Sequence, residues 1–144
     1  MKPIDGSFTH IIIGAGSAGC LLANRLSARA DNHVLVLEAG DWDRNFWLKL
    51  PVGYFRSINN PSVSRHFATT PGEGTAGRSI DWPRGKVVGG SSSINGLIFI
   101  RGQKDTFDEW AALGNKGWSF ADVLPYFRRL ESFAGPESQY HGSH

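Results

Sequence analysis

The chain has 144 residues and a formal net charge of +2; 40% of its residues are hydrophobic and 19% charged, a composition typical of a globular protein rather than a disordered one. Its lysines and arginines are scattered, which excludes the basic stripe that nucleic-acid binding requires. No apolar run approaches about 18 residues and the first predicted strand begins close to Met1, so we expect no transmembrane segment, no signal peptide and a cytoplasmic protein.

Residues 9–40 predict a strand, a glycine turn, a helix and a second strand. The isoleucine run at residues 11–13 is typical of a buried parallel strand, and the turn GAGSAG follows at residues 14–19. Apolar side chains at three- and four-residue spacing then predict an amphipathic helix that ends at residues 31–32. They are Ala18, Leu21, Leu22, Leu26 and Ala30. A second apolar run, residues 34–37, completes the βαβ unit of nucleotide-binding domains.

Each glycine of the turn has a predicted role. Gly14 allows a sharp turn, Gly16 leaves room for a pyrophosphate, and Gly19 lets helix and strand pack closely. The unpaired N–H groups and positive dipole end of the helix then face the phosphates. Glu38 ends the second strand, where it can accept hydrogen bonds from both adenosine ribose hydroxyls, and its charge argues against NADP. The pattern does not separate NAD from FAD, and a glycine turn in an ordinary α/β protein is the alternative.

Residues 41–83 carry four prolines, repeated glycines and no sustained hydrophobic period, which predicts a long, largely irregular cover segment. Its aromatic side chains are expected to anchor it by burial. These are Trp42, Phe46, Trp47, Tyr54, Phe55, Phe67 and Trp82.

A second glycine-rich segment occupies residues 84–102. Gly89 and Gly90 would allow close approach of the backbone to a ligand, and the three serines at residues 91–93 can donate hydrogen bonds or cap a helix. The composition fits a second ligand-binding loop, with a capped turn into a buried element as the alternative.

This segment resembles the first signature of the glucose-methanol-choline (GMC) flavoprotein oxidoreductases. The matching residues are Gly85, Lys86, Gly89, Gly90, Ser91, Ser92, Asn95, Phe99, Gly102 and Asp108. With the GAGSAG turn and the run WPRGK at residues 82–86, the resemblance extends from about residue 8 to the end of the chain. It is strongest to the branch of choline and aliphatic alcohol dehydrogenases. It implies FAD rather than NAD, a Rossmann-like α/β fold, and oxidation of an alcohol to a carbonyl by hydride transfer to flavin N5.

The resemblance also implies where each part of FAD lies. The pyrophosphate is expected on Ser17 and Ala18, the ribose on Glu38, and the flavin ring along Ser91 and residues 95–98. The full set of predicted cofactor-binding residues is Gly14, Gly16, Ser17, Ala18, Gly19, Glu38, Ala39, Arg84, Val88, Gly89, Gly90, Ser91, Asn95, Gly96, Leu97 and Ile98.

Two details of the flavin-ring segment follow from residue chemistry. Backbone N–H groups near Gly96 and Leu97 could bond the polar edge of the flavin, and the amide of Asn95 can donate and accept. Some family members link flavin covalently to a histidine at the position of Ile94. Because an isoleucine cannot form that bond, we predict non-covalent FAD.

The last third of the chain predicts two helices, and the resemblance implies that they form a scaffold around the flavin. The first spans residues 105–113, with Gly114 as its C-cap. Ser119 and Asp122 form a capping box at the start of the second, which Pro125 is expected to kink or restart.

We expect no catalytic residue and no metal site in this chain. The histidines are His10, His33, His66, His141 and His144, and none has the sequence context of the family's catalytic pair near the end of a longer chain. His10 is expected at a strand entry, His33 in a turn and His66 in a loop, and Cys20 as a small buried residue.

The resemblance therefore implies that the chain is the N-terminal portion of an enzyme, and an uncovered βαβ unit, which cannot bury its own strands, agrees with a remainder that completes it. The expected partners are the remainder of the enzyme and a small-molecule alcohol. The predicted divisions are residues 1–40, 41–83, 84–102 and 103–144. Two alternatives are a non-catalytic nucleotide-binding module or pseudoenzyme, and an NAD-linked dehydrogenase.

Overall fold

A computed structural model describes residues 6–136 and 138–142. His144, one of the five histidines, lies outside the described residues. The chain divides into two compact units, Met1–Ile98 and Phe99–His144.

The first unit begins with the predicted βαβ arrangement. Strands β1 (His10–Ile13) and β2 (Val34–Leu37) pair in parallel along all four residues, and helix α1 (Ser17–Ser27) connects them. The helix ends earlier than predicted, and the chain turns before β2. There the side-chain amide of Asn32 donates to the carbonyl of Leu26 at 2.8 Å, which provides a donor for a carbonyl group at the C-terminal end of the helix.

The apolar side chains of this βαβ unit are only partly covered. Ile12 is buried, whereas Ile11 and Ile13 are 61% and 86% exposed. Leu21 and Leu22 of α1 are about half exposed, at 53% and 51%. Among the described residues, Ile11 and Ile13 on one face of β1 are therefore largely uncovered, and Leu21 and Leu22 of α1 are covered only in part.

Residues 41–83 are more regular than predicted. Strand β3 (Ser64–Ala68) pairs antiparallel with β4 (Asp81–Gly85), so Pro83 lies within a strand opposite His66. The pairing escaped prediction because a proline within a run argues against a strand unless it lies at a sheet edge, as it does in this two-stranded sheet. The helical turns of the segment are Phe46–Lys49, Pro51–Gly53 and Glu73–Thr75, with the one-turn helix α2 at Tyr54–Ser57.

Aliphatic residues, not aromatic ones, form the buried core of this part of the unit. Val63, Val87 and Ile94 make a buried cluster, and Leu48 packs against it. The expectation that the aromatic side chains are buried is wrong for five of them, which lie at the surface. These are Trp42, Phe46, Phe55, Phe67 and Trp82. Cys20 is likewise exposed, and its thiol donates to the carbonyl of Ala15 at 3.2 Å.

The second unit contains the two predicted helices. Helix α3 is Lys104–Ala112, and Gly114 follows it with a left-handed φ of 103°. The capping box of Ser119 precedes helix α4, Phe120–Leu130, as predicted. This helix runs through Pro125 as one element rather than restarting there.

Buried Phe107 is the centre of the second unit. Its ring meets those of Trp110, Phe120 and Phe127 at centroid distances of 5.4, 6.3 and 5.6 Å. These ring contacts hold the unit's two helices together.

His66 lies in β3 rather than in the predicted loop, and its ring links three elements. Nδ1 is 2.7 Å from Asp81 Oδ2 in β4, and Nε2 is 3.1 Å from the carbonyl oxygen of Ile58, just after α2. The hydrogen bond with Asp81 raises the pKa of His66 above its ordinary value, with a smaller rise from the Ile58 carbonyl, while burial opposes both. Since both partners accept, the protonated ring, which donates from both nitrogens, satisfies them together.

The stability contributed by His66 should therefore depend on pH. Because its folded-state pKa is raised, the contribution is fully present below the unfolded value of about 6.5 and is lost as pH rises through the folded value. His66→Gln should lower the free energy of unfolding more at pH 5.5 than at pH 8.5, as measured by urea denaturation. His33→Gln is the matched control, since His33 bonds Thr9 through its backbone. A loss for His66→Gln that does not change with pH would contradict this assignment.

Candidate functional site

The N-terminus of α1 carries backbone donors that no helix carbonyl can satisfy. Its N-cap, Gly16, has no side chain to cap them, and the first turn contains no acidic residue. The first helical hydrogen bond runs from the N–H of Cys20 to the carbonyl of Gly16 at 2.9 Å. The N–H groups of Ser17, Ala18 and Gly19 therefore lie at the positive end of the helix without a helical acceptor. This arrangement is suited to an anion such as a phosphate.

Gly19 brings this helix end against β1, as its position predicted. A Cβ at Gly19 would lie 2.0 Å from the carbonyl oxygen of Gly14 and 3.3 Å from Ile12 Cγ2. The N–H of Gly14 donates to the carbonyl of Leu37 at 2.7 Å, which extends the parallel pairing past β1. The first loop, residues 14–19, is thus held to both strands.

Glu38 follows β2 and binds backbone N–H groups on two segments. Its Oε2 accepts from Ala15 at 2.7 Å, and its Oε1 accepts from Gly40 at 2.9 Å. An ionised carboxylate offers about four acceptor sites, so two remain for another ligand. The bond to Ala15 was not predicted, because nothing in the local pattern links residues 23 positions apart.

The second loop, residues 89–98, lies directly against the first. The N–H of Gly89 donates to the carbonyl of Ala15 at 2.7 Å, and Gly16 and Gly89 form a parallel β-bridge. Gly90 has a left-handed φ of 58°, and a Cβ there would lie 2.8 Å from the Cα of Gly16. Two glycine segments about 70 residues apart in sequence therefore meet backbone to backbone.

Backbone segments adjacent to the two loops extend the contact between them. The N–H of Val88 donates to the carbonyl of Asp41 at 2.9 Å, and a Cβ at Gly40 would lie 2.1 Å from the carbonyl oxygen of Lys86. Ala39, exposed, sits between Glu38 and Gly40 in this strip. The structure thus brings the predicted cofactor-binding residues between Gly14 and Ala39 close to those from Val88 to Gly90.

Arg84 and Ser91 lie at the β4 side of the second loop. The Arg84 guanidinium stacks over the Trp82 ring, 5.0 Å from its centroid. Ser91 Oγ accepts from the N–H of Gly85 at 3.1 Å, which ties β4 to the short 3-10 helix Gly90–Ser93. The serines of this loop thus hold it to neighbouring backbone.

Two serines also close the second loop on itself. Ser92 Oγ donates to the carbonyl of Gly89 at 2.5 Å, and Ser93 Oγ donates to that of Val88 at 3.0 Å. The composition indicated that these serines could donate, but not that their acceptors are the loop's own carbonyls.

Residues 95–98 continue from this loop past two clefts. Asn95 borders both: one of about 200 Å³, which Tyr54 and Leu97 also line, and one of about 320 Å³, which Ile58 and Arg84 also line. The clefts were not predicted because their other walls come largely from residues 41–83, which we expected to be irregular. The N–H of Leu97, a predicted flavin donor, already donates to Asn95 Oδ1 at 3.0 Å.

Across residues 6–136 and 138–142, no three His, Cys, Asp or Glu side chains are grouped so as to hold a metal ion. The same described part contains no helix long and apolar enough to cross a membrane.

A family model described as GMC oxidoreductase matches residues 8–141. The chain belongs to the GMC oxidoreductase family. It is 46% identical over 139 residues to a protein of Photobacterium profundum named oxygen-dependent choline dehydrogenase, and 45% identical over 135 residues to one of the same name from Vibrio vulnificus. These alignments cover 96% and 94% of this chain but 24% of each relative.

Solved structures are also similar to this chain. Pyridoxine 4-oxidase from Mesorbium loti superimposes with a TM-score of 0.82 at 33% identity, over 94% of this chain and 27% of its own. An FAD-dependent oxidoreductase from Chaetomium thermophilum superimposes with a TM-score of 0.73 at 34% identity, over 96% of this chain and 25% of its own. The chain thus spans about a quarter of the length of these relatives. The comparisons imply a Rossmann-like α/β fold and support FAD as the cofactor.

Gly90→Ala should separate the two loops, since the new Cβ would meet the Gly16 backbone and a left-handed alanine is strained. A cost of about 1–2 kcal/mol corresponds to an FAD affinity about 5- to 30-fold weaker, measurable by fluorescence as FAD is returned to the apoprotein. The matched control is Gly74→Ala, since a Cβ at Gly74 has no atom within 4 Å. Equal affinities for the two variants would contradict the importance of the contact.

Glu38→Ala should weaken FAD retention, because it removes the carboxylate predicted to bind the ribose along with its bonds to Ala15 and Gly40. Hydrogen bonds to a charged group contribute about 1.5–3 kcal/mol each, so a loss of at least about tenfold in affinity is expected. Exposed Glu73, changed to alanine, controls for the loss of a charge. Unchanged affinity in the Glu38 variant would refute the placement of the adenosine.

Proposed function

We propose that this chain is the FAD-binding N-terminal part of an enzyme that oxidises the CH–OH group of an alcohol to a carbonyl. The observation that carries this proposal is the backbone contact between Gly16 and Gly90, which unites the two glycine loops. Membership of the GMC family and the likeness to proteins named choline dehydrogenase support flavin-dependent alcohol oxidation.

The N-terminus of α1 fits a pyrophosphate. We assign the pyrophosphate to the N–H groups of Ser17 and Ala18, with Gly14, Gly16 and Gly19 shaping the loop. A Cβ at Gly14 would find no atom within 4 Å, and one at Gly16 would meet only the Cα of Gly90, at 3.9 Å. The absence of acidic side chains in the first turn leaves the helix dipole available to the phosphate charges.

Glu38 is suited to the adenosine ribose. Its backbone bonds to Ala15 and Gly40 hold the carboxylate at the end of β2 before any ligand arrives, which lowers the entropy lost on binding. The acceptor capacity that remains can serve both ribose hydroxyls, and we place Ala39 beside the ribose. The same charge would repel a 2′-phosphate.

The second loop is assigned to the flavin ring. Val88, Gly89, Gly90 and Ser91 would approach it by their backbone, residues 95–98 would line it, and Arg84 would add a positive charge nearby. When bound, FAD supplies an acceptor for the hydride that leaves the alcohol carbon. Ile94 is 3% exposed and packed in the aliphatic cluster, which supports a non-covalent cofactor.

The acid–base groups are assigned to the remainder of the enzyme. His66 is bonded to Asp81 and Ile58, and His141 to Glu131, so both have structural partners. The exposed faces of Ile11 and Ile13 support further protein over β1, because a parallel strand is normally covered on both faces. We therefore propose that the rest of the polypeptide both completes the sheet and supplies the catalytic histidine pair.

The purified holoprotein, including any companion polypeptide, tests this function. Acid precipitation should release FAD into the supernatant, since no covalent bond is proposed. Under anaerobic conditions, choline or a primary aliphatic alcohol should bleach the visible flavin absorption, because the carbon-bound hydrogen passes to the flavin as hydride. The matched control is the same holoprotein kept under anaerobic conditions without an alcohol.

Three results would count against the proposal. Flavin that stays with the precipitated protein would contradict non-covalent binding. A holoprotein that no alcohol bleaches would favour a non-catalytic nucleotide-binding module. Release of a nicotinamide nucleotide instead of FAD would favour an NAD-linked dehydrogenase.

A further inference from the structure

One face of the β3–β4 pair carries two arginines and two aromatic rings. Arg65 lies directly opposite Arg84, and Phe67 lies directly opposite Trp82. Since side chains alternate along a strand, residues two positions apart share a face, so all four belong to the same side of the pair. Phe67 and Trp82 are 48% and 45% exposed. We call these four residues the arginine–aromatic face.

Both guanidinium groups of this face stack on a ring of their own strand. The Arg65 Cζ lies 5.0 Å from the centroid of the Phe67 ring, and the Arg84 Cζ lies 5.0 Å from that of Trp82. Because the two rings are opposite each other, these contacts turn both guanidinium groups toward the same end of the face. A guanidinium that stacks by its flat side keeps N–H donors at its edge. The face therefore presents two sets of donors side by side.

The two like charges have no counter-ion in the described part of the chain. No carboxylate in residues 6–136 and 138–142 forms an ion pair with Arg65 or Arg84. The acidic residue of β4, Asp81, alternates to the opposite face, where it bonds His66. Like charges directly opposite each other destabilise an antiparallel pair. The face is therefore suited to an anion that both arginines bind together.

We propose that the arginine–aromatic face is a docking surface for the remainder of the polypeptide, which places an aspartate or glutamate carboxylate between Arg65 and Arg84. This inference rests on the proposed function, in which a remainder completes a chain that spans 24% of its relatives. A carboxylate matches the edge of a guanidinium and accepts paired hydrogen bonds from it. The two rings add apolar contact area, and arginine and tryptophan are enriched at the centre of protein interfaces.

Charge and exposure favour this occupant over a second copy or a free anion. A two-fold contact places the same surface of each copy against itself, which would bring four arginines together. A small anion would bind the arginines but leave Phe67 and Trp82 exposed. The same compact unit also leaves Ile11 and Ile13 uncovered, where the proposed function already places the remainder. A protein segment that carries a carboxylate therefore fits both the charge and the rings.

The direction in which a charge reversal at Arg65 shifts stability tests the proposal. Thermal unfolding is compared between the wild-type holoprotein, with any companion polypeptide, and Arg65→Glu. If a carboxylate occupies the face, the new carboxylate lies beside it, and the unfolding midpoint should fall by about 2–4 °C. If the face is empty, the substitution replaces a like-charge pair by an opposite-charge pair with Arg84, and the midpoint should rise.

Three conditions make this comparison specific. The variants are made at Arg65 because Arg84 is assigned to the flavin. The buffer is free of carboxylate and phosphate, so a carboxylate at the face must belong to the protein. Arg44→Glu is the matched control, because Arg44 is exposed and its side chain forms no ion pair or ring contact among the described residues. It makes the same change of charge and should leave the midpoint nearly unchanged.

A second variant, Arg65→Lys, identifies the occupant. A carbodiimide joins an amine to a carboxylate that it contacts, whereas a guanidinium does not react in this way. Mass spectrometry of the digested holoprotein should therefore find a cross-link from residue 65 in this variant and none in the wild type. We expect the cross-linked carboxylate to lie in the remainder of the enzyme, outside residues 1–144.

Each outcome decides the proposal. A midpoint that rises or stays unchanged in Arg65→Glu would show that no carboxylate occupies the face. A cross-link to a residue within 1–144, or the lack of any cross-link, would show that the remainder does not dock there. Either result in a holoprotein that an alcohol bleaches overturns the inference alone. A cross-link to the remainder in a holoprotein that no alcohol bleaches overturns the proposed function alone.

Discussion

The contact between Gly16 and Gly90 depends on the absence of a side chain at Gly90. Any Cβ at Gly90 would lie 2.8 Å from the backbone of Gly16, closer than such atoms approach in real proteins. The hydrogen bond from Gly89 to the Ala15 carbonyl can form only when the loops are this close. This contact places the N-terminus of α1 beside the second loop, which its own serine hydrogen bonds hold closed. The two therefore form one continuous surface. The remaining features of the site are arranged around that junction.

The charges of this surface differ along its length in a way that suits a dinucleotide. The N-terminus of α1 offers unpaired donors and a positive dipole end, without an acidic residue in its first turn. Glu38, at the end of the neighbouring strand, offers acceptors and a negative charge, and it is held by two backbone N–H groups. Donors for phosphate and acceptors for hydroxyls thus occur at separate positions, each fixed before binding.

The spacing of residue types along the chain predicted the features that depend on interactions between residues close in sequence. The strand–turn–helix–strand order and the Ser119 capping box follow from short-range propensity, and both are present. The family resemblance pointed to the second loop, but only the structure shows its backbone against Gly16. Contacts over such sequence distances depend on how closely two backbones can approach, which residue periodicity does not encode.

Other features escaped prediction for identifiable reasons. The β3–β4 pair carries Pro83 and lies at the surface, so it lacks the apolar alternation of a half-buried strand. The aromatic residues of the same segment were expected to be buried because they are large and apolar, but Val63 and Val87 provide its core. The left-handed Leu97 has no sequence signal, since leucine seldom adopts that conformation.

The most direct test of the account is a crystal structure of the holoprotein with its bound nucleotide. We expect electron density for FAD with the pyrophosphate against the N–H groups of Ser17 and Ala18, the ribose at Glu38, and the flavin ring along residues 91–98. Nucleotide density that contacts only one of the two glycine loops, or a ring bound far from residues 91–98, would contradict it.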